Sequence, residues 1–176
     1  MPKILSFKEK KPSIHPESFV AANAVLIGDL KLAEGANVWY NCTVRADVNY
    51  IRIGRFSNIQ DNSVVHVESP EVGQNEKGSP TIIGDYVTVG HGCILHACTI
   101  EDYALIGMGA IVLDGAVIGK GSIVGAGAVV TKNTVIPPFS LVLGTPGKVV
   151  RTLPEESIAE RKEHAEGYWR LAQNYR

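Results

Sequence analysis

The chain has 176 residues, enough for one domain with a real core, and balances 17 lysines and arginines against 18 aspartates and glutamates. A net charge of −1 argues against a nucleic-acid or polyanion partner, and no hydrophobic run approaches the length of a membrane span. The three cysteines, Cys42, Cys93 and Cys98, form no CxxC pair, which points to reduced, packed thiols in a cytoplasmic protein.

Residues 1–17 begin MPKILSFKEKKPS, with no apolar core followed by a small-residue cleavage site, and read as a lead-in rather than a signal peptide. From residue 18 a six-residue period takes over. A small residue, a spacer and a branched aliphatic recur as Ser18/Val20, Ala24/Leu26, Leu30/Leu32, Ala36/Val38 and Cys42/Val44. The pattern runs on through Ile53, Ile59 and Val65, and from Ile83 to Val142, giving nineteen rungs. This period is too short for a helical repeat and too regular for ordinary strands. It predicts an all-β solenoid over 18–146, a parallel β-helix in which three hexads make one triangular coil, about six coils in all. The aliphatic residue points inward and the small residue two places earlier fills the narrow part of the core.

The period breaks at three places. Three extra residues fall between Val44 and Ile53, and twelve fall between Val65 and Ile83. The second insertion would put Glu71 and Lys77 in the core, so 67–80 is expected to be a loop. One residue is missing between Leu95 and Ile100, which tightens a turn. After the turn-rich exit LGTPGKVVRTL, residues 154–175 predict a helix packed on the prism. Pro154 stands at its start, and Glu155 and Glu156 suit the positively polarised first turn. Its apolar stripe is Ile158, Ala165, Tyr168, Trp169 and Ala172, interrupted by Arg161 and Lys162.

Counting rungs places the polar residues. His66 and His96 each follow the inward aliphatic of the same face, one coil apart, and Arg45 occupies that corner one coil earlier. His91 lies two residues after Val89 on a different corner, where Asp61 is its counterpart one coil before and Gln60 is adjacent. One chain cannot easily bring all three histidines onto one ion. Chains packed around a threefold axis could, since one chain's first corner would meet its neighbour's second. Three imidazoles suit a divalent transition metal with an open position for water. Surface histidines making ordinary hydrogen bonds are the alternative, and His15 and His164 are left there.

RADV, followed by NIQDNSVVH and VGHGCILH, resembles the γ-class carbonic anhydrases over nearly the whole chain. The resemblance implies a homotrimer of left-handed β-helices with a metal at each interface, zinc being usual and iron (Fe2+) or cobalt (Co2+) able to substitute. It implies His66 and His96 as ligands from one subunit and His91 from the next. It assigns Gln60 to the site's water or substrate, Arg45 and Asp47 to an interface ion pair, and Asn58 and Asp61 to supporting polar positions. Tyr168 corresponds loosely to a helix tyrosine near the site, with core packing as its other reading. The implied reaction is reversible hydration of carbon dioxide to bicarbonate. The glutamate that follows the Arg-x-Asp motif in well-known members is replaced by Val48, and Glu68 stands one place from a second acidic position. A thioester hydrolase with the same ligands, a hexapeptide acyltransferase suggested by GTPGKVVR, and a non-catalytic scaffold are the other functions open to this sequence.

Overall fold

Short parallel strands stack in register along three faces, and each face repeats one rung of the hexad. The computed structural model describes residues 1–71 and 78–176; of the expected loop 67–80, residues 72–77 lie outside the described residues. One face runs through the strands holding Val20, Val38, Ile59, Val89, Ile106, Val124 and Val142. The other two are joined by the long strand Thr43–Ile53, which continues from one face onto the next. The result is a left-handed parallel β-helix of about seven turns with one C-terminal helix. The branched aliphatics of the hexads form a continuous buried core, flanked by buried Ala24, Ala36, Cys42, Cys93 and Cys98.

Two further rungs precede the nineteen and complete about seven turns. Lys3–Leu5 pairs with Val25–Ile27, and Ser13–Ile14 pairs with Lys31–Leu32, all parallel. Ile4 and Ile14 pack on the core beside them. Their hexad signature is hidden because Phe7–Lys10 folds back on itself between them. The first insertion is absorbed as a bulge. Gly28 pairs with Ala46 and Leu30 pairs with Ile51, so residues 47–50 are extruded from the ladder. Gly28 permits this, with φ +79° and an ideal Cβ that would lie 2.1 Å from the Ala46 carbonyl oxygen.

All three cysteines are free and buried. Burial pushes the thiols of Cys42 and Cys93 up to about 11 and that of Cys98 up to about 12.

The C-terminal segment differs from the expected single helix at both ends. Glu155–Ser157 form a 3-10 turn, helix α1 spans Ile158–Ala172, and Gln173–Tyr175 tighten into a second 3-10 turn. The first turn is tightened by the Ser157 hydroxyl, which donates to the Pro154 carbonyl. Arg161 does not interrupt the packed stripe; it is buried within it beside Ala165, and its guanidinium donates to Ser157 Oγ. Helix α1 lies over the face carrying Asn37–Val38, Asn58–Ile59 and Thr88–Val89. Ala172 joins Phe19, Ala21 and Trp39 in a second small core there, with Tyr168 packed against it. That cover buries the outward polar residues Asn58, Gln60 and Thr88.

Candidate metal centre

The ladder sets the site's geometry. His66 and His96 are register partners on adjacent turns, and His66 Nδ1 lies 3.1 Å from His96 Nε2. Each ring's other nitrogen meets a carboxylate: His66 Nε2 is 3.1 Å from Asp47 Oδ1, and His96 Nδ1 is 2.8 Å from Asp114 Oδ1. The extruded residues 47–50 carry Asp47 to this position. Asp47 also accepts from Arg45, and Asp114 lies 3.3 Å from Lys132 Nζ.

These contacts decide where the lone pairs point. A neutral imidazole that donates to its carboxylate keeps its second nitrogen as an acceptor. When both rings donate to their carboxylates, His66 Nδ1 and His96 Nε2 are those second nitrogens, and two lone pairs face each other at 3.1 Å. A cation shared between the two nitrogens resolves that arrangement while each ring keeps its carboxylate. A carboxylate behind each ring is also the usual way of orienting metal-binding histidines. The donor set therefore fits a transition metal. Burial pushes the pKa of His66 below its ordinary value, and the nearby charges of Arg45 and His96 act in the same direction, against the opposing pull of Asp47. Burial alone would raise Asp47 and Asp114, but hydrogen bonds and positive neighbours hold both below the usual carboxylate range.

His91 stands on another corner, as the rung count places it. Its Nδ1 is 2.8 Å from Asp61 Oδ2, and Asp61 Oδ1 accepts from the Tyr40 amide. Among the described residues of one chain, no three histidines, cysteines or acids converge on a point that could hold an ion. The two corners open onto separate clefts. One, of 630 Å³, is lined by Arg45, His66, Glu68, His96 and Asp114. The other, of 310 Å³, is lined by Gln60, Thr88, His91, Met108, His164 and Tyr168.

The second cleft has an ordered polar wall. Gln60 Nε2 donates to Asn58 Oδ1 at 3.1 Å, and Asn58 Nδ2 donates to Thr88 Oγ1 at 3.0 Å. The amide of Gln60 is thereby fixed, with its nitrogen turned to Asn58. The Tyr168 ring lies edge-on to Trp39 at 5.5 Å and also borders this cleft. Burial and the charge of Asp61 raise its pKa. Thr88, Asp114 and His164 were not picked out by their sequence. For Asp114 a signal existed: it lies two residues after Val112, on the corner next above His96. His164 carries none, because its position depends on how the helix docks.

Large apolar residues are exposed around both clefts: Val48 at 41%, Val64 at 41%, Ile94 at 42% and Met108 at 59%. Exposed apolar groups clustered beside polar clefts are a common feature of contact surfaces. Among the described residues no helix is long and apolar enough to cross a membrane.

A family model described as dynactin subunit 5 matches residues 10–170. The chain is 56% identical to a protein of Methanocaldococcus jannaschii named "Probable carbonic anhydrase" over 154 residues, 88% of this chain and 92% of that one. It is 45% identical to "Gamma carbonic anhydrase 1, mitochondrial" of Arabidopsis thaliana, with 97% of this chain matched, but it spans only 61% of that relative's length. Among solved structures, a hexapeptide transferase family protein from Anaplasma phagocytophilum superposes with a TM-score of 0.89 at 38% identity, covering 99% of this chain and 98% of that one. The chain belongs to the family that the dynactin subunit 5 model describes and, with its named relatives, to the γ-class carbonic anhydrases.

Proposed function

We propose that the protein catalyses the reversible hydration of carbon dioxide to bicarbonate at metal sites shared between the chains of a homotrimer. The observation that carries this reading is the pair of imidazole nitrogens, His66 Nδ1 and His96 Nε2, facing each other at 3.1 Å with a carboxylate behind each ring. His66 and His96 would hold the ion from one chain and His91 from its neighbour. Zinc, iron or cobalt suits three imidazoles. When bound, the ion supplies the Lewis acidity that makes water a nucleophile at neutral pH.

The chain's own residues do the rest. Gln60, fixed through Asn58, leaves its amide oxygen to orient the attacking water. Arg45, held by Asp47 at the mouth of the first cleft, offers a positive charge to departing bicarbonate. Asp47, Asp61 and Asp114 keep the three imidazoles in the tautomer that binds metal. The exposed Val64, Ile94 and Met108 support assembly around both half-sites.

An acyl-transfer reading draws on the transferase name of the Anaplasma neighbour and on the exit segment GTPGKVVR. Three carboxylate-backed histidines are more than a single catalytic base requires. Protein purified without chelator and without oxygen should contain about one metal per chain, and His66→Ala should lose it. A panel of carbon dioxide, acetyl-coenzyme A with amine acceptors, and thioesters should show turnover of carbon dioxide alone. Metal-free protein that transfers acetyl groups would replace this proposal with the second reading.

A further inference from the structure

A proton is released each time water adds to carbon dioxide, and it must reach solvent. Val48 provides no acid or base where one would stand beside Asp47, so the route must lie elsewhere. The second cleft supplies a candidate on its wall. His164 is an exposed residue of helix α1 at the edge of its packed face, and it borders the cleft that contains His91 and Gln60. Its Nδ1 is 3.1 Å from Thr88 Oγ1. That hydroxyl already accepts from Asn58 Nδ2, and Asn58 in turn accepts from Gln60. A continuous hydrogen-bonded row therefore joins Gln60, in the proposed site, to an imidazole open to bulk water. Tyr168 holds the same ring from one helical turn further on, with centroids 5.4 Å apart.

We infer that His164 carries the reaction's proton from the cleft to solvent; this rests on the carbon dioxide reading above. Because Thr88 Oγ1 accepts from Asn58, its own proton is free to be donated to His164 Nδ1. The neutral ring then holds its proton on Nε2. A proton arriving through water in the cleft binds Nδ1, and the Thr88 hydroxyl turns from donor to acceptor. The proton on Nε2 leaves to solvent, and ring rotation or exchange restores the first tautomer. One proton enters and one leaves, and the ring is neutral before and after. Imidazole suits this task because one ring nitrogen can take up a proton while the other gives one up. His91 and Tyr168 are the other titratable groups bordering this cleft. Glu68, in the opposite half-site, is the competing carrier.

The test compares zinc-loaded wild type, His164→Ala and Glu68→Gln in stopped-flow carbon dioxide hydration at low buffer. His164→Ala should lower kcat about tenfold or more while kcat/KM and zinc content stay within about twofold of wild type, and added imidazole should restore kcat. Nitrogen-15 NMR of the histidines should show His164 as the Nε2–H tautomer in wild type, and Thr88→Val should abolish that preference. Unchanged kcat in His164→Ala, a fall confined to Glu68→Gln, equal losses in kcat and kcat/KM, or a His164 ring without tautomer preference would each overturn the inference. Wild type that holds zinc but hydrates no carbon dioxide would overturn the functional proposal, and this inference with it.

Discussion

The three candidate ligands share one local feature: a ring nitrogen within 3.1 Å of a carboxylate oxygen. Removing the carboxylate should weaken the ligand without deleting it. Asp114→Asn is expected to reduce zinc affinity by about 10- to 100-fold, measured by competition with a chromophoric chelator, while His96→Ala should abolish binding. The same carboxylates give a pH signature. Asp47 and Asp114 are held below their ordinary pKa in the folded chain, so each stabilises the fold above the normal carboxylate range. That contribution should be lost as pH falls from about 5 toward the lowered folded values. Denaturation of metal-free protein followed across this window should show a shallower acid loss for Asp114→Asn than for wild type. The thiols give a simpler check: with Cys42, Cys93 and Cys98 buried and their pKa raised, a thiol reagent at neutral pH should label the native protein hardly at all and the unfolded chain at all three positions.

At the scale of elements, the strands were legible because each inward position repeats the same chemistry at the same spacing. Val65 and Leu95 could be set on one face by counting alone, and their followers His66 and His96 are register partners. The count failed where the period is masked. Ile4 and Ile14 belong to the first turn, but the Phe7–Lys10 fold-back separates them by more than one hexad. Helix packing was also only partly legible. Arg161 reads as an interruption, yet its long side chain is buried and its charged end reaches Ser157. His164 could not be placed at all without the docked helix. Two glycines test this level. Gly28→Ala should destabilise the protein by about 2 kcal/mol or more, since a Cβ there meets the Ala46 carbonyl in a left-handed backbone conformation. Gly167→Ala should do the opposite, by up to about 1 kcal/mol, because it lies inside helix α1 and a Cβ meets only the Arg170 guanidinium at 3.7 Å. Urea denaturation of both variants measures the two effects.

Over the whole molecule, the solenoid behaves as a ruler. Each turn advances the chain by one strand spacing of about 4.8 Å, so residues distant in sequence are stacked along a corner. The price is that residues on different corners stay apart, and His91 is therefore kept from His66 and His96 within one chain. In the proposed trimer that limit would be removed, because a heterologous contact would bring one corner of each chain against the other corner of the next. Mixing chains tests this most directly. His66→Ala and His91→Ala protein, each purified metal-free, should be unfolded, combined in equal amounts, refolded and supplied with zinc. With shared sites, random mixing leaves about a quarter of the interfaces with all three histidines, and zinc should return to about that fraction of the wild-type content. Mixed trimers verified by mass that bind no zinc, or a His91→Ala protein that keeps its full metal unaided, would contradict a site built from two chains.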